Sequence, residues 1–282
     1  PRHQHRDFLL QFRGNFGLEK PGRCTLSAGG VFSGLFIPNV GGGCEIYVIN
    51  ESIKFFPYNT ALAGRVVLAS KGNMVNENAY KNACFAYPLL CETDDAFSAK
   101  SVLCFEDNKD LKKNSELDLN STTQSVLRLY SSKAADIADE GNYGRVKSAK
   151  GGLITVNDTG DFDNYNVFQG EASVELNLAA GKTATFCAKS TSSGDLFATQ
   201  GNVVFASNGQ WAGRVWIKTG TRVTMPASAF AETTRVKLDG STIVLPDKGS
   251  VQVAEIVDAD GNPLPAGVYG KDAASGVTPI EG

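Results

Sequence analysis

The chain has 282 residues, 42% of them hydrophobic and 20% charged, with 27 Lys plus Arg against 30 Asp plus Glu for a net charge of −3. This composition is far from that of disordered chains, and the slight negative charge argues against the basic footprint that neutralises a nucleic-acid backbone. No apolar run approaches the roughly 18 residues of a bilayer-spanning helix, and six cysteines are too sparse at this length for a small disulfide-stapled scaffold.

Residues 1–20 are expected to form an N-terminal tail or a first coil. Pro1 is neither an initiator methionine nor part of a signal peptide, so the chain is expected to be a portion of a larger polypeptide. Arg2-His3-Gln4-His5-Arg6 carries the only two histidines, and a solvated terminal tail is the reading preferred to a metal site. Residues 21–130 read as coils of short strands with irregular loops. In CTLSAGGVFSGLFIPNVGGGCEIYVINESIKFF, from Cys24 onward, β-rich runs are broken by glycines. Gly41-Gly42-Gly43 lacks the Lys and Ser/Thr of a phosphate loop and precedes a strand, Glu45 to Asn50, where that motif needs a helix. A corner is expected there.

Asn76 to Leu119 holds the densest acidic stretch, with Glu92, Asp94, Asp95, Glu106, Asp107, Asp110, Glu116 and Asp118. Oxygen ligands of this kind suit Ca²⁺, but a solvated face is the reading preferred. Ala79 to Tyr87 and Asp94 to Cys104 are the helix candidates; both are short and poorly periodic, so mixed strand and loop is expected. Cys84, Cys91 and Cys104 lie near one another in sequence while Cys24, Cys44 and Cys187 stand apart. No Cys-x-x-Cys pair or zinc spacing occurs, which favours structural cysteines, buried or bridged. The segment 131–152, SSKAADIADEGNYGRVKSAKGG, is long and polar and is expected to protrude as a loop.

From residue 153 to 282 short alternating strands follow one another with no helix-length segment between them. In Arg214-Val215-Trp216-Ile217-Lys218, Val215 and Ile217 share one face and the other three residues the opposite one, as a period of two requires. The same alternation occurs in Val174–Leu178, Arg222–Met225, Arg235–Leu238 and Val251–Val253. Between them lie Thr219-Gly220, Asp239-Gly240 and Asp247-Lys248-Gly249, with the backbone freedom a sharp corner needs. A sandwich places turn signals about every 8–12 residues, whereas a solenoid coil needs about 20–29. The self-similarity of GTRVTM (220–225) and GSTIVL (240–245), about one coil apart, favours the solenoid. The length accommodates roughly ten such coils.

GQWAGRVWIKTGTRVTM, RVKLDGSTIVL and VQVAEIVDADGNPLPAGVYG, with LDLNSTTQSVLRL (117–129) before them, resemble the autotransporter-type passenger repeats of large secreted bacterial β-helix proteins. The resemblance covers about residues 115–282. Pattern and resemblance together lead to an all-β chain folded as a single-stranded right-handed parallel β-helix, with a β-sandwich as the alternative.

Two constellations carry candidate chemistry. Asp258-Ala259-Asp260-Gly261-Asn262 alternates oxygen side chains as calcium loops do, but Pro263 and Tyr269 stand where such a loop needs Gly and an acid. A hairpin turn on Asp-Gly is expected instead. If strands stack in register, Arg214, Trp216, Lys218, Arg222, Arg235 and Lys237 form an outward basic row with one aromatic. An acidic polysaccharide or host surface glycan fits such a row, with a sugar ring on the indole and cations beside it. The plainer reading is a solvated face on which Trp216 packs over Arg and Lys stems.

No catalytic constellation stands out, and no cofactor, metal, nucleic acid or membrane span is expected. The function expected is a non-catalytic β-solenoid module of a large secreted or cell-surface bacterial protein, serving in adhesion, as a stalk or in glycan contact. A polysaccharide lyase or glycoside hydrolase on a β-helix is one alternative, and a trimeric phage or viral fibre segment is another.

Overall fold

The computed structural model describes residues 144–265 except 219, 227 and 246–249, and residues 88–131 except 98, 106 and 109–112. Elsewhere it describes strand segments, from Phe16–Lys20 to Ala83–Phe85 on one side and Val268–Gly270 and Val277–Pro279 on the other. The histidine tail and the Gly41–Gly43 corner lie outside the described residues. Every regular element among the described residues is a β-strand. The chain divides into two units, residues 1–146 and 147–282.

In the first unit, Phe16–Lys20 pairs antiparallel with Arg23–Leu26. From there the ladder is parallel, through Glu45–Val48, Arg65–Leu68, Pro88–Cys91 and Glu116–Asp118. A second parallel row joins Ala83–Phe85, Val102–Phe105 and Arg128–Ser131. Leu68, Leu89, Leu103, Phe105, Leu117 and Leu129 form its core, none more than 1% exposed. The described residues of the two helix candidates are not helical: strand Ala83–Phe85 lies within the first, and the second runs through turns into strand Val102–Phe105. The Asn corner of the 117–129 segment is present, with Asn120 and Ser121 at φ +47° and +65°. Just after it, the fully buried Gln124 donates from Nε2 to the Thr93 carbonyl at 2.7 Å.

The second unit is a stack of parallel coils. Its first row is Leu153–Val156, Ser173–Asn177, Leu196–Gln200, Arg214–Ile217, Arg235–Leu238 and Glu255–Val257. The second row is Phe162–Asn164, Thr183–Phe186, Asn202–Phe205, Arg222–Thr224 and Thr242–Val244. A shorter third row pairs Lys189–Ser190 with Gln210–Trp211 and continues to Phe230. Side-chain bonds between neighbouring coils give the repeat, with 20 residues between Thr155 and Glu175, 22 between Ser173 and Asp195, 19 between Asp195 and Arg214, and 21 between Ala212 and Thr233. The fold is thus a parallel β-helix of about five turns. A sandwich would need facing antiparallel sheets, and every ladder pair of these rows is parallel.

Alternation explains the rows. Ile154, Val174, Leu196, Val215, Val236 and Ile256 are successive register partners, so one inward position per coil builds a continuous aliphatic column. The third row faces an aromatic cluster: Phe168 lies 5.3 Å from Trp211 between ring centres, Phe186 5.3 Å from Phe205, and Phe205 5.7 Å from Phe230. Trp211 is wholly buried. At the corner between the first and second rows, Gly181, Gly201, Gly220 and Gly240 all have positive φ, from +59° to +86°. Gly220 and Gly240 are the corners expected from sequence; Gly181 and Gly201 extend them backwards.

Two expectations change. Of the segment expected to protrude as a loop over 131–152, residues 132–143 lie outside the described residues, and near its end Arg145–Ser148 is a strand with Val146 and Ser148 buried. The alternation in Val251–Val253 forms no strand; the coil is continued by Glu255–Val257, which is in register with Arg235–Lys237. Local alternation is the same in both places, and only the coil length selects between them. Beyond Val257 the chain makes the expected turn. Gly261 N donates to the Asp258 carbonyl at 3.0 Å and Leu264 N to the Ile256 carbonyl at 2.8 Å, an antiparallel return against the last strand of the row.

Candidate functional site

Parallel in-register pairing repeats each outward position about 4.8 Å further along the stack. In the first row this gives the ladder Thr155, Glu175, Phe197, Trp216, Lys237 and Val257. Trp216 sits at its centre, half-buried. The Phe197 ring lies 5.8 Å away on one side, and Lys237 Nζ lies 4.8 Å from the indole centre in the next coil. Arg214, two residues earlier on the same strand, places its guanidinium carbon 5.0 Å from the same ring. Cation–π contacts of this kind contribute about 0.5–1 kcal/mol each when exposed. The Trp216 Nε1 atom is buried and has no hydrogen-bond partner among the described residues.

Beside this ladder runs a charged one. Arg214 and Arg235 are register partners, and Arg235 is followed by Glu255. Arg214 makes a two-pronged contact with Asp195, Nε to Oδ1 and Nη2 to Oδ2, both at 2.8 Å. Arg235 Nε lies 3.5 Å from Glu255 Oε2. Hydrogen bonding to Asp195 raises the Arg214 pKa further above its ordinary value. Two adjacent like charges are therefore bracketed by two acids, which offsets their repulsion.

The structure brings Arg214, Trp216, Arg235 and Lys237 into one surface patch. It does not bring in Arg222, and it places Lys218 one residue beyond the strand. Lys218 lies past the strand end, entering the corner, with its backbone N–H on the Ala198 carbonyl at 3.0 Å. Arg222 opens a strand of the second row, beside Asn202 and Thr242, on a different sheet. The single basic stripe is thus corrected to a patch of four, two of whose cations are paired. The chain turns between Ile217 and Arg222, and the neutralising acids come from coils about 20 residues away. Sequence reasoning missed Phe197, Asp195 and Glu255; the coil repeat applied to Arg214 and Trp216 would have pointed to them.

Among the described residues no group of three His, Cys, Asp or Glu is placed to hold a metal ion. Asp258 spends its carboxylate within its own turn, accepting from Asn262 N at 2.8 Å and Nδ2 at 3.2 Å; these bonds hold its pKa below the usual carboxylate range. Cys91 and Cys187 are free and buried. Burial, with the charge of Asp118 second, pushes the Cys91 thiol far up, and burial followed by Asp163 pushes up that of Cys187. Neither offers a reactive thiolate at neutral pH.

No protein-family model matches the chain, and neither a curated protein nor a solved structure matches it.

Proposed function

We propose that the chain is a non-catalytic β-solenoid module of a large secreted or cell-surface bacterial protein, serving in surface contact through the face around Trp216, with an acidic polysaccharide or host glycan as the ligand. The observation that carries this reading is Lys237. Its ammonium lies over Trp216 with no carboxylate partner among the described residues, on a ladder in which Phe197 and Trp216 add aromatic area. A ligand carboxylate or sulfate pairs with that ammonium while the sugar lies along the aromatic ladder. Solenoids suit extended ligands because their faces repeat along one axis. The resemblance of residues 115–282 to autotransporter-type repeats supports the same setting.

The test is calorimetric binding of the chain to polygalacturonate and to neutral dextran. Tighter binding of polygalacturonate is expected, weakened about tenfold or more by Lys237→Ala and by Trp216→Ala. Equal binding by wild type and both variants overturns the glycan reading. Release of unsaturated, ultraviolet-absorbing products would replace it with a lyase, and sedimentation as a trimer with a fibre segment.

A further inference from the structure

Of the six cysteines, two stand opposite each other on neighbouring coils of the first unit. The row that joins Ala83–Phe85, Val102–Phe105 and Arg128–Ser131 is parallel and in register, with Cys84 opposite Cys104 and Cys104 opposite Tyr130. No other strand pairing among the described residues brings two cysteines together. Cys24 stands opposite Leu18 and Ile46, and Cys91 opposite Leu68.

Alternation assigns both positions to the outer side of the row. Leu103, Phe105 and Leu129 are no more than 1% exposed and form the inward side, so Cys104, between Leu103 and Phe105, takes the opposite one. Ala83 and Phe85 pair with Leu103 and Phe105, which puts Cys84 on the same outer side. Tyr130, the next position along that ladder, is 40% exposed. The outer side of this row therefore meets solvent.

Directly opposed residues of neighbouring parallel strands lie about 4.8 Å apart, inside the roughly 4.4–6.8 Å between α-carbons that a disulfide requires. They also share one side of the sheet, which meets the second requirement, that the two positions not point apart. We infer that Cys84 and Cys104 form a disulfide that ties two neighbouring coils together on the outer side of this row. The oxidant is a protein or small-molecule disulfide. One cysteine thiolate attacks it, releasing one thiol and leaving a mixed disulfide; the thiolate of the other cysteine then displaces the second thiol. The chain loses two protons and two electrons, and the oxidant is reduced to two thiols. Cys91 stays out of this exchange, because burial keeps its thiol protonated. The bond closes a loop across one whole coil and so restricts the unfolded chain. It accords with an oxidising setting outside the cell but does not rest on the glycan reading, since neither residue belongs to the Trp216 patch.

The test oxidises the full chain with oxidised glutathione, blocks free thiols with iodoacetamide in denaturant, and maps the peptides without reduction. Trypsin leaves Cys84 in the peptide 82–100, which also holds Cys91, and Cys104 in the peptide 101–109. These two peptides should appear linked, with fragment masses that place the bond on Cys84 and leave Cys91 alkylated. The oxidised chain should also unfold several degrees above the chain reduced with dithiothreitol. Cys84→Ser and Cys104→Ser should each abolish that difference, both variants unfolding near the reduced wild type. The inference is overturned if both thiols remain free in the oxidised, folded chain, or if either is bonded to any other cysteine or to a second chain.

Discussion

Gly213 stands directly against Gly194 of the preceding coil: a Cβ on Gly213 would lie 2.0 Å from the Gly194 carbonyl oxygen. That oxygen also accepts the Trp211 indole N–H at 3.1 Å. Gly194 repeats the closeness one coil back, where its own Cβ would lie 2.5 Å from the Ala172 carbonyl oxygen. The corner is packed backbone on backbone, with no flexible side chain to give way.

Gly213→Ala is therefore expected to destabilise the chain by about 3 kcal/mol, the upper range for forced overpacking. Gly220→Ala serves as the comparison, since open space surrounds that position and only its left-handed backbone resists, at a cost of about 1–2 kcal/mol. Urea unfolding midpoints of the two variants should fall in that order. Equal midpoints would refute the close-approach account.

The two tryptophans separate interior from surface. Trp211 is 0% exposed, with Phe168 and Phe186 ring centres 5.3 and 6.2 Å away. Its replacement by Ala leaves a large cavity and an orphaned Gly194 carbonyl, with an expected loss of about 3–5 kcal/mol. Trp216→Ala removes a half-buried ring held by two cations, with an expected loss of about 1–2 kcal/mol. Denaturant titration of the two variants provides the check, and a larger effect at Trp216 would contradict the burial assignment.

The Asp195–Arg214 pair is close and two-pronged, but the Arg214 side chain is 51% exposed. A double-mutant cycle with Asp195→Asn and Arg214→Gln should return a coupling of no more than about 1 kcal/mol, shrinking with added salt. The raised Arg214 pKa places its contribution below the ordinary arginine value, lost only as pH rises through the still higher folded value. Stability should accordingly show no dependence on Arg214 titration around neutral pH. Asp195→Asn alone leaves Arg214 facing Arg235 unbalanced, so it should also strengthen polygalacturonate binding. Weaker binding would show that Asp195 orients Arg214 for the ligand.

Asp258 supplies a pH lever confined to one turn. Its folded pKa is depressed by the Asn262 bonds, so its contribution is present above the ordinary aspartate value of about 3.9 and is lost as pH falls through the lower folded value. The protection of the Asn262 amide, measured against an unstructured amide at the same pH, should hold in neutral solution and fall only in acid below that ordinary value. Hydrogen exchange at Asn262 measures this, and Asp258→Ala should remove the protection at every pH. Protection that persists in the variant would assign the turn to its backbone bonds alone.

Much of the architecture was legible because a period of two writes itself into local sequence. Val215 and Ile217, or Val236 with its polar neighbours, declare an inward face without reference to anything distant. Gly220 and Gly240 declare corners, because left-handed backbone favours glycine. The candidate patch was legible in part: Arg214 and Trp216 were correctly placed outward on one strand. Arg222 shows the limit, since the same alternation holds there although the chain has already turned onto another sheet. Trp211 shows another, because two-residue Gln210–Trp211 is too short to reveal a period, and nothing local distinguishes its buried indole from that of Trp216.

The amino-acid sequence by itself determined the strand character, the inward and outward alternation and the glycine corners, all of which depend on neighbours within a few residues. Only the tertiary structure decided which coil lies on which: that Arg214 meets Asp195, that Lys237 covers Trp216, that Gly213 abuts Gly194, and that Glu255–Val257 rather than Val251–Val253 continues the ladder. Those relationships depend on register across about 20 residues, and register is set by how many residues each corner consumes. The coil length that results varies from 19 to 22 residues and is fixed by packing the whole stack at once.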